Sequence, residues 1–296
     1  MKNNLAFVLS GGGSRGALQV GALRALLETG LQPDLVVGTS IGSVNAAFLA
    51  LRGFSKDCLD KLTVAWQEAS KLDLLPANYL WLTMRAMFRH SPNDPSQRLK
   101  DFIIANGLTS ELSFSEFNRP RLVIVAADLN TGKPVLHGEE TDEKVLDALL
   151  LSTALPPWFM PVKQNDRYEM DGGVVSNLPI EPALRCGATH IVALDLMDTR
   201  EYPGTGNRFT SFLTKLSMAV EKRTTDLELE LAKARHVPLL YFDLISRDPV
   251  PLWDFHHTDE LIAQGYEMAR QTVEKYPNLK SFTPNVVQSW LRRNRD

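Results

Sequence analysis

Leu5-Ala6-Phe7-Val8-Leu9 is an unbroken apolar run that ends in Gly11-Gly12-Gly13, the pattern of a strand buried on both faces in a parallel sheet. Ala17, Val20, Leu23, Leu26 and Leu27 then recur at helical spacing between residues 16 and 28, and Gly30 supplies a stop. Leu35-Val36-Val37 predicts a second buried strand. It runs into Gly38-Thr39-Ser40-Ile41-Gly42 and a second helical pattern through Val44, Ala47, Phe48 and Leu51 to Gly53. A strand–loop–helix unit repeated in this way begins an α/β fold, with a mostly parallel central sheet flanked by helices.

The pattern changes over residues 54–118, where helices are expected at 59–69, 80–88 and 99–105 between loops containing proline. Strand-like runs return at 121–127, 191–195 and 237–242, and a long amphipathic stretch covers 212–236. The expectation is one domain over 1–296, with a helical insertion at about 54–118 following the second helix and C-terminal helices at about 256–296.

Composition narrows the class. Hydrophobic residues make up 44% of the 296 positions, enough for a substantial core. The 32 basic and 35 acidic residues give a net charge of −3, which offers no electrostatic footprint for nucleic acid. Cys58 and Cys186 have neither disulfide-framework nor zinc-site spacing. The apolar segment at the start is too short for a signal peptide, and no run reaches the ~20 residues that span a bilayer. A cytoplasmic protein able to visit a membrane surface is expected.

Two glycine-rich segments carry the chemistry. Gly11-Gly12-Gly13-Ser14-Arg15-Gly16 has the G-x-G-x-x-G form between strand and helix. The dinucleotide reading wants an acidic residue at the end of the second strand, yet Asp34 precedes that strand. Converging backbone N–H groups at a helix N-terminus bind negative charge in either case, whether a phosphate or the oxyanion of an acyl transfer. Gly38-Thr39-Ser40-Ile41-Gly42 is G-x-S-x-G between strand and helix, the setting of a nucleophile elbow. That setting favours a nucleophile over an ordinary helix-capping serine. A serine nucleophile needs a base. His256 or His257 would complete a Ser-Asp-His order, but an elbow after only the second strand does not suit an α/β-hydrolase. The other marked carboxylate is Asp171 in Asp171-Gly172-Gly173, a common turn sequence placed between the rigid segment 152–162 and the loop Ser176-Asn177-Leu178-Pro179.

Taken in order, the glycine loop, the elbow, the 152–162 block and Asp171-Gly172-Gly173 resemble the bacterial patatin-like phospholipases over roughly residues 5–200. Leu261-Ile262-Ala263-Gln264-Gly265-Tyr266 resembles a late helix of that family. The resemblance implies a serine acyl hydrolase with Ser40 as nucleophile and Asp171 as base, and with the Gly11–Gly16 loop as oxyanion hole, chiefly Gly12, Gly13 and Ser14. No metal or cofactor is implied. The substrate would be a phospholipid, lysophospholipid or other acyl-ester lipid. Ile41 departs from the smaller residue common in relatives and would narrow the space beside Ser40. Arg15 would assist the oxyanion, anchor a lipid phosphate or form a salt bridge. Residues 74–90 and 286–295 are the candidates for an acyl channel or for contact with a membrane surface.

Overall fold

The computed structural model describes residues 4–72, 74, 95–117, 119–155, 159–164, 166–200 and 208–275. The two N-terminal apolar runs form β1 (Leu5–Leu9), which leads through α1 (Gly16–Glu28) to β2 (Leu35–Thr39). The strands pair in parallel, from Ala6 opposite Leu35 to Leu9 opposite Gly38. Ser40 alone separates β2 from α2 (Ile41–Arg52). Then come α3 (Lys56–Ala69), whose N-cap Ser55 accepts the Cys58 N–H, and α4 (Pro95–Ala105). β3 (Arg121–Asp128) joins β2 in parallel, and β4 (Lys133–His137) folds back antiparallel on β3.

After α5 (Val145–Ser152), β5 (Val162–Gln164) and β6 (Arg167–Asp171) make an antiparallel pair. The short helices α6 (Gly173–Ser176) and α7 (Ile180–Arg185) lead to β7 (His190–Asp195), which pairs with β1 on its other edge. The long α8 (Arg208–Ala234) precedes β8 (Leu239–Asp243), and α9 (Thr258–Glu274) follows. The result is the α/β class read from the sequence: a parallel set β3-β2-β1-β7-β8, extended by antiparallel β4, β6 and β5.

The antiparallel part is the difference from expectation. Asp171 ends a strand instead of sitting in a turn between loops, and Ser152 ends a helix. β6 reads Arg-Tyr-Glu-Met-Asp and β5 has three residues, so neither shows the apolar run that marks the parallel strands. Helix 80–88, Pro156-Pro157-Trp158 and segment 286–295 lie outside the described residues, as does 74–90 apart from Leu74.

The register of β3 sets up the site. β4 pairs with residues 124–128 of β3, β2 with 121–125 and β6 with 126–128. A strand has two edges, so β2 and β6 share the edge opposite β4 and meet end to end between Val125 and Ala126. Thr39 is opposite Val125 and Asp171 is opposite Ala126. The C-terminal ends of the two strands are therefore driven together by pairing alone.

Period-two alternation divides the core into two layers. Phe7, Leu9, Val36, Ile124 and Leu194 face α1, α2 and α3, while Ala6, Val8, Val37, Val125 and Ile191 face Ile180 and Ala183 of α7 and Leu229 and Ala232 of α8. On the first face α1 and α9 cross backbone to backbone. A Cβ at Gly21 would strike the Ile262 carbonyl, and one at Gly265 the Leu18 carbonyl. Gly21→Ala or Gly265→Ala is expected to cost about 1–3 kcal/mol by overpacking and to lower the melting temperature by several degrees. An unchanged melting curve would contradict this crossing.

Candidate active site

The site begins with backbone strain. Ser40 has φ 53° and ψ −128°, a region that non-glycine residues avoid and that surrounding structure must impose. The turn is tight because Gly38 and Gly42 have no side chains. A Cβ at Gly38 would strike the Gly42 carbonyl, and one at Gly42 would strike the Leu9 carbonyl of β1. Hydrogen bonds hold the geometry from three sides. The Ser43 N–H and hydroxyl both donate to the Ser40 carbonyl, at 2.9 and 2.6 Å. The Thr39 hydroxyl donates to the Ser176 carbonyl at 2.8 Å, and the Ser40 N–H donates to Ser152 Oγ at 2.9 Å.

Asp171 arrives across β3 and is 1% exposed. Its Oδ1 accepts the Gly173 N–H at 2.8 Å, while Oδ2 is buried with no hydrogen-bond partner. Burial pushes the carboxyl up from its ordinary 3.8 to about 7, although the neighbouring Ser40 side chain and the Gly173 N–H favour the ionised form and pull the other way. Ser40 thus lies beside a carboxylate that is a far better base than one in water. Gly172, the next residue along the chain, sits against the Val125 carbonyl, where a Cβ would collide.

The glycine loop has few donors left to offer. The Gly11 N–H donates to the Asn177 carbonyl at 3.2 Å, Ser14 to the Leu252 carbonyl at 2.8 Å and Arg15 to the Gly12 carbonyl at 3.2 Å. The Gly16 N–H is likewise spent on Gly13 and Ser14. The N–H groups of Gly12 and Gly13 bond to nothing among the described residues. The candidate anion donors therefore narrow to these two, and Ser14, expected as a third, is already engaged. Arg15 is buried, with Nε on the Gly12 carbonyl at 3.3 Å and Nη1 unpaired. The carboxylates of Asp195, Asp198 and Glu221 act on it electrostatically.

An apolar pocket opens from Ser40 and Gly13 between α2, α3 and α4, lined by Val44, Phe48, Leu62, Phe102, Phe159 and Phe255 among others. Ile41 and Leu74 also line it. Its other polar side chains are satisfied inside the protein: Thr153 donates to the Leu149 carbonyl at 2.7 Å and the Trp66 indole to Asn45 at 3.0 Å. Ser40 is the polar side chain that remains for a bound molecule.

Several sequence candidates lie elsewhere. Asp34 is at the far end of β2, accepting the Leu5 N–H at 3.1 Å. His256 and His257 are exposed, and His257 lies 3.6 Å from Asp254 and 3.5 Å from Glu260. His137 is buried in an ion pair with Glu169 at 2.9 Å. Burial alone would depress its pKa, but hydrogen bonds to Glu143 and Glu169 outweigh that and raise it to about 9.

The roles of three contributors were not legible in the sequence. Ser152 and Asn177 lie in segments that the sequence marks, 152–162 and 176–179, but nothing there signals the backbone groups they bond. Glu228 of α8 accepts the Ser176 hydroxyl at 2.5 Å and the Glu181 N–H at 2.6 Å, bracing the segment that holds Thr39. No helix among the described residues is long and apolar enough to cross a membrane.

The sequence pattern of the family described as patatin-like phospholipase matches residues 7–184. Mouse patatin-like phospholipase domain-containing protein 6 is 31% identical over 196 residues, covering 66% of this chain and 14% of that protein. Lysophospholipase nte1 of Aspergillus terreus is 24% identical over 93% of this chain and 18% of its own length. The chain thus spans less than a fifth of either relative. Among solved structures, VipD from Legionella pneumophila aligns with a TM-score of 0.44 at 17% identity, over 93% of this chain and 67% of that one. ExoU in its complex with SpcU from Pseudomonas aeruginosa aligns at 0.44 and 19%, over 92% and 51%.

The buried carboxyl has a thermodynamic signature. Between 3.8 and about 7 the folded chain holds a proton on Asp171 that the unfolded chain has released, so rising pH erodes stability across that window. Asparagine cannot ionise. Asp171→Asn is expected to melt above the wild type at about pH 8, with the gap shrinking toward about pH 5. A gap independent of pH would contradict the raised carboxyl.

Proposed function

The chain belongs to the patatin-like phospholipase family, and we propose that it is a lipid acyl-ester hydrolase of phospholipase A or lysophospholipase type, with Ser40 as nucleophile and Asp171 as base. The observation that carries this reading is the buried, unpaired Oδ2 of Asp171 beside a serine held in a strained elbow at the mouth of an apolar pocket. The names of relatives, a lysophospholipase among them, support the substrate class.

In this mechanism Ser40 Oγ attacks the ester carbonyl carbon as its proton passes to Asp171 Oδ2. The carbonyl oxygen becomes an oxyanion received by the Gly12 and Gly13 N–H groups, donors typically worth about 2.7–4 kcal/mol of barrier each. Collapse expels the alcohol, which takes the proton from Asp171, and leaves an acyl group on Ser40. Water then attacks the acyl-enzyme, giving its proton to Asp171. As the fatty acid leaves, that proton returns to Ser40. The sequence of steps is complete without a metal or cofactor. The acyl chain occupies the apolar pocket, and the lipid is a phospholipid, a lysophospholipid or another acyl ester, met at a membrane surface or extracted from it. The whole of 1–296 serves as one catalytic domain with a helical insertion at 54–118, of which α3 and α4 help wall the pocket.

A fluorophosphonate probe is expected to label the wild type at Ser40 and to leave Ser40→Ala unlabelled. An acyl-ester panel varied in head group and chain length reads turnover. Asp171→Asn should lower it by about 10²–10⁴, whereas His256→Ala and His257→Ala should leave it near wild type. In the wild type kcat/KM should climb with pH through about 7 as Asp171 ionises. A folded wild type that takes no label, or a histidine variant that loses turnover, would overturn the reading.

A further inference from the structure

Ser152 closes α5, is fully buried, and its hydroxyl makes two bonds. It donates to the Val125 carbonyl at 2.7 Å and accepts the Ser40 N–H at 2.9 Å. The β2–β3 ladder ends at the pair Thr39 and Val125. In a parallel ladder the next bond would run straight from the Ser40 amide to the Val125 carbonyl. Here a side-chain oxygen stands between them, so one ladder bond has become two.

We propose that Ser152 is a positioning residue for the nucleophile, a hydroxyl wedge that ends the β2–β3 ladder and fixes the Ser40 backbone in its elbow. The proposal rests on Ser40 being the nucleophile. The wedge holds β2 off β3 by the width of one oxygen at the residue where the chain leaves the sheet, and it directs the Ser40 N–H away from the pocket. Its anchor, the Val125 carbonyl, is also the atom against which Gly172 packs. One carbonyl therefore references the nucleophile through Ser152 and the base through Gly172, and a shift in either changes the approach of Ser40 to Asp171. The position needs a group that both donates and accepts within one atom's width, which a hydroxyl supplies and an alkyl group does not. Losing it would leave a buried N–H and a buried C=O without partners.

Three variants test this through the rate of fluorophosphonate labelling at Ser40, normalised to folded protein by thermal melting. Ser152→Ala is expected to label about tenfold or more slowly than the wild type, with kcat reduced to match and KM within about twofold, a split that general loss of packing would not give. Ser152→Thr and Ser152→Val are nearly isosteric, so the added bulk costs both about alike. The threonine variant is expected to label at least about tenfold faster than the valine variant. Wild-type labelling in Ser152→Ala overturns this role alone, as do equal rates in the threonine and valine variants. If the valine variant does not fold, Ser152→Ala decides. A folded wild type that takes no label overturns the hydrolase reading and this role with it.

Discussion

β3 carries two partners on one edge, β2 along residues 121–125 and β6 along 126–128, while β4 covers the other edge. That division of one strand brings the ends of β2 and β6 together, and with them Ser40 and Asp171. Side chains beyond the sheet refine the meeting but do not cause it. The Thr39 hydroxyl ties the end of β2 to the Ser176 carbonyl, and Gly173 turns its N–H onto Asp171. Through this arrangement a parallel sheet with an antiparallel flank brings two residues 131 positions apart in the sequence into one site.

The same meeting is energetically unfavourable. A carboxyl 1% exposed loses its hydration, and one of its oxygens gains no hydrogen bond in return. Ser40 occupies a backbone region that costs of order 1–3 kcal/mol. These costs persist because the rest of the fold over-determines the position: the two core layers clamp the sheet, and α1 meets α9 without side chains at Gly21 and Gly265. Strain and desolvation are concentrated at one hydroxyl and one buried carboxyl, the pair proposed as nucleophile and base, as a trade of stability for reactivity would have it.

The parallel half of the fold was legible because strands buried on both faces must be continuously apolar, as Leu5–Leu9 and Leu35-Val36-Val37 are, and because the glycines at 38 and 42 announce a turn no side chain could enter. Ser40 and the glycine loop were singled out on that basis. Asp171 was singled out as a marked carboxylate between loops, whereas it ends a strand. β6 alternates charged residues, Arg167, Glu169 and Asp171, so nothing in its composition distinguishes it from a loop. The roles of Ser152, Asn177 and Glu228 stayed hidden for a related reason, although segments 152–162 and 176–179 were marked. Each acts by bonding a backbone group or a neighbour brought close only by the tertiary fold, and such a role leaves no periodicity and no motif. The engaged amide of Ser14 was hidden in the same way, since its acceptor, Leu252, lies near the other end of the chain.

Everything proposed for the site depends on Asp171 being a base near neutrality because it is buried and half-unpaired. The most direct measurement is a ¹³C NMR titration of the Asp171 carboxyl in the intact protein, assigned by its absence in Asp171→Asn. The resonance is expected to titrate at about 7, and to move higher in Ser40→Ala, where the hydroxyl that favours the ionised form is gone. Titration at the ordinary 3.8 in the folded wild type would contradict it.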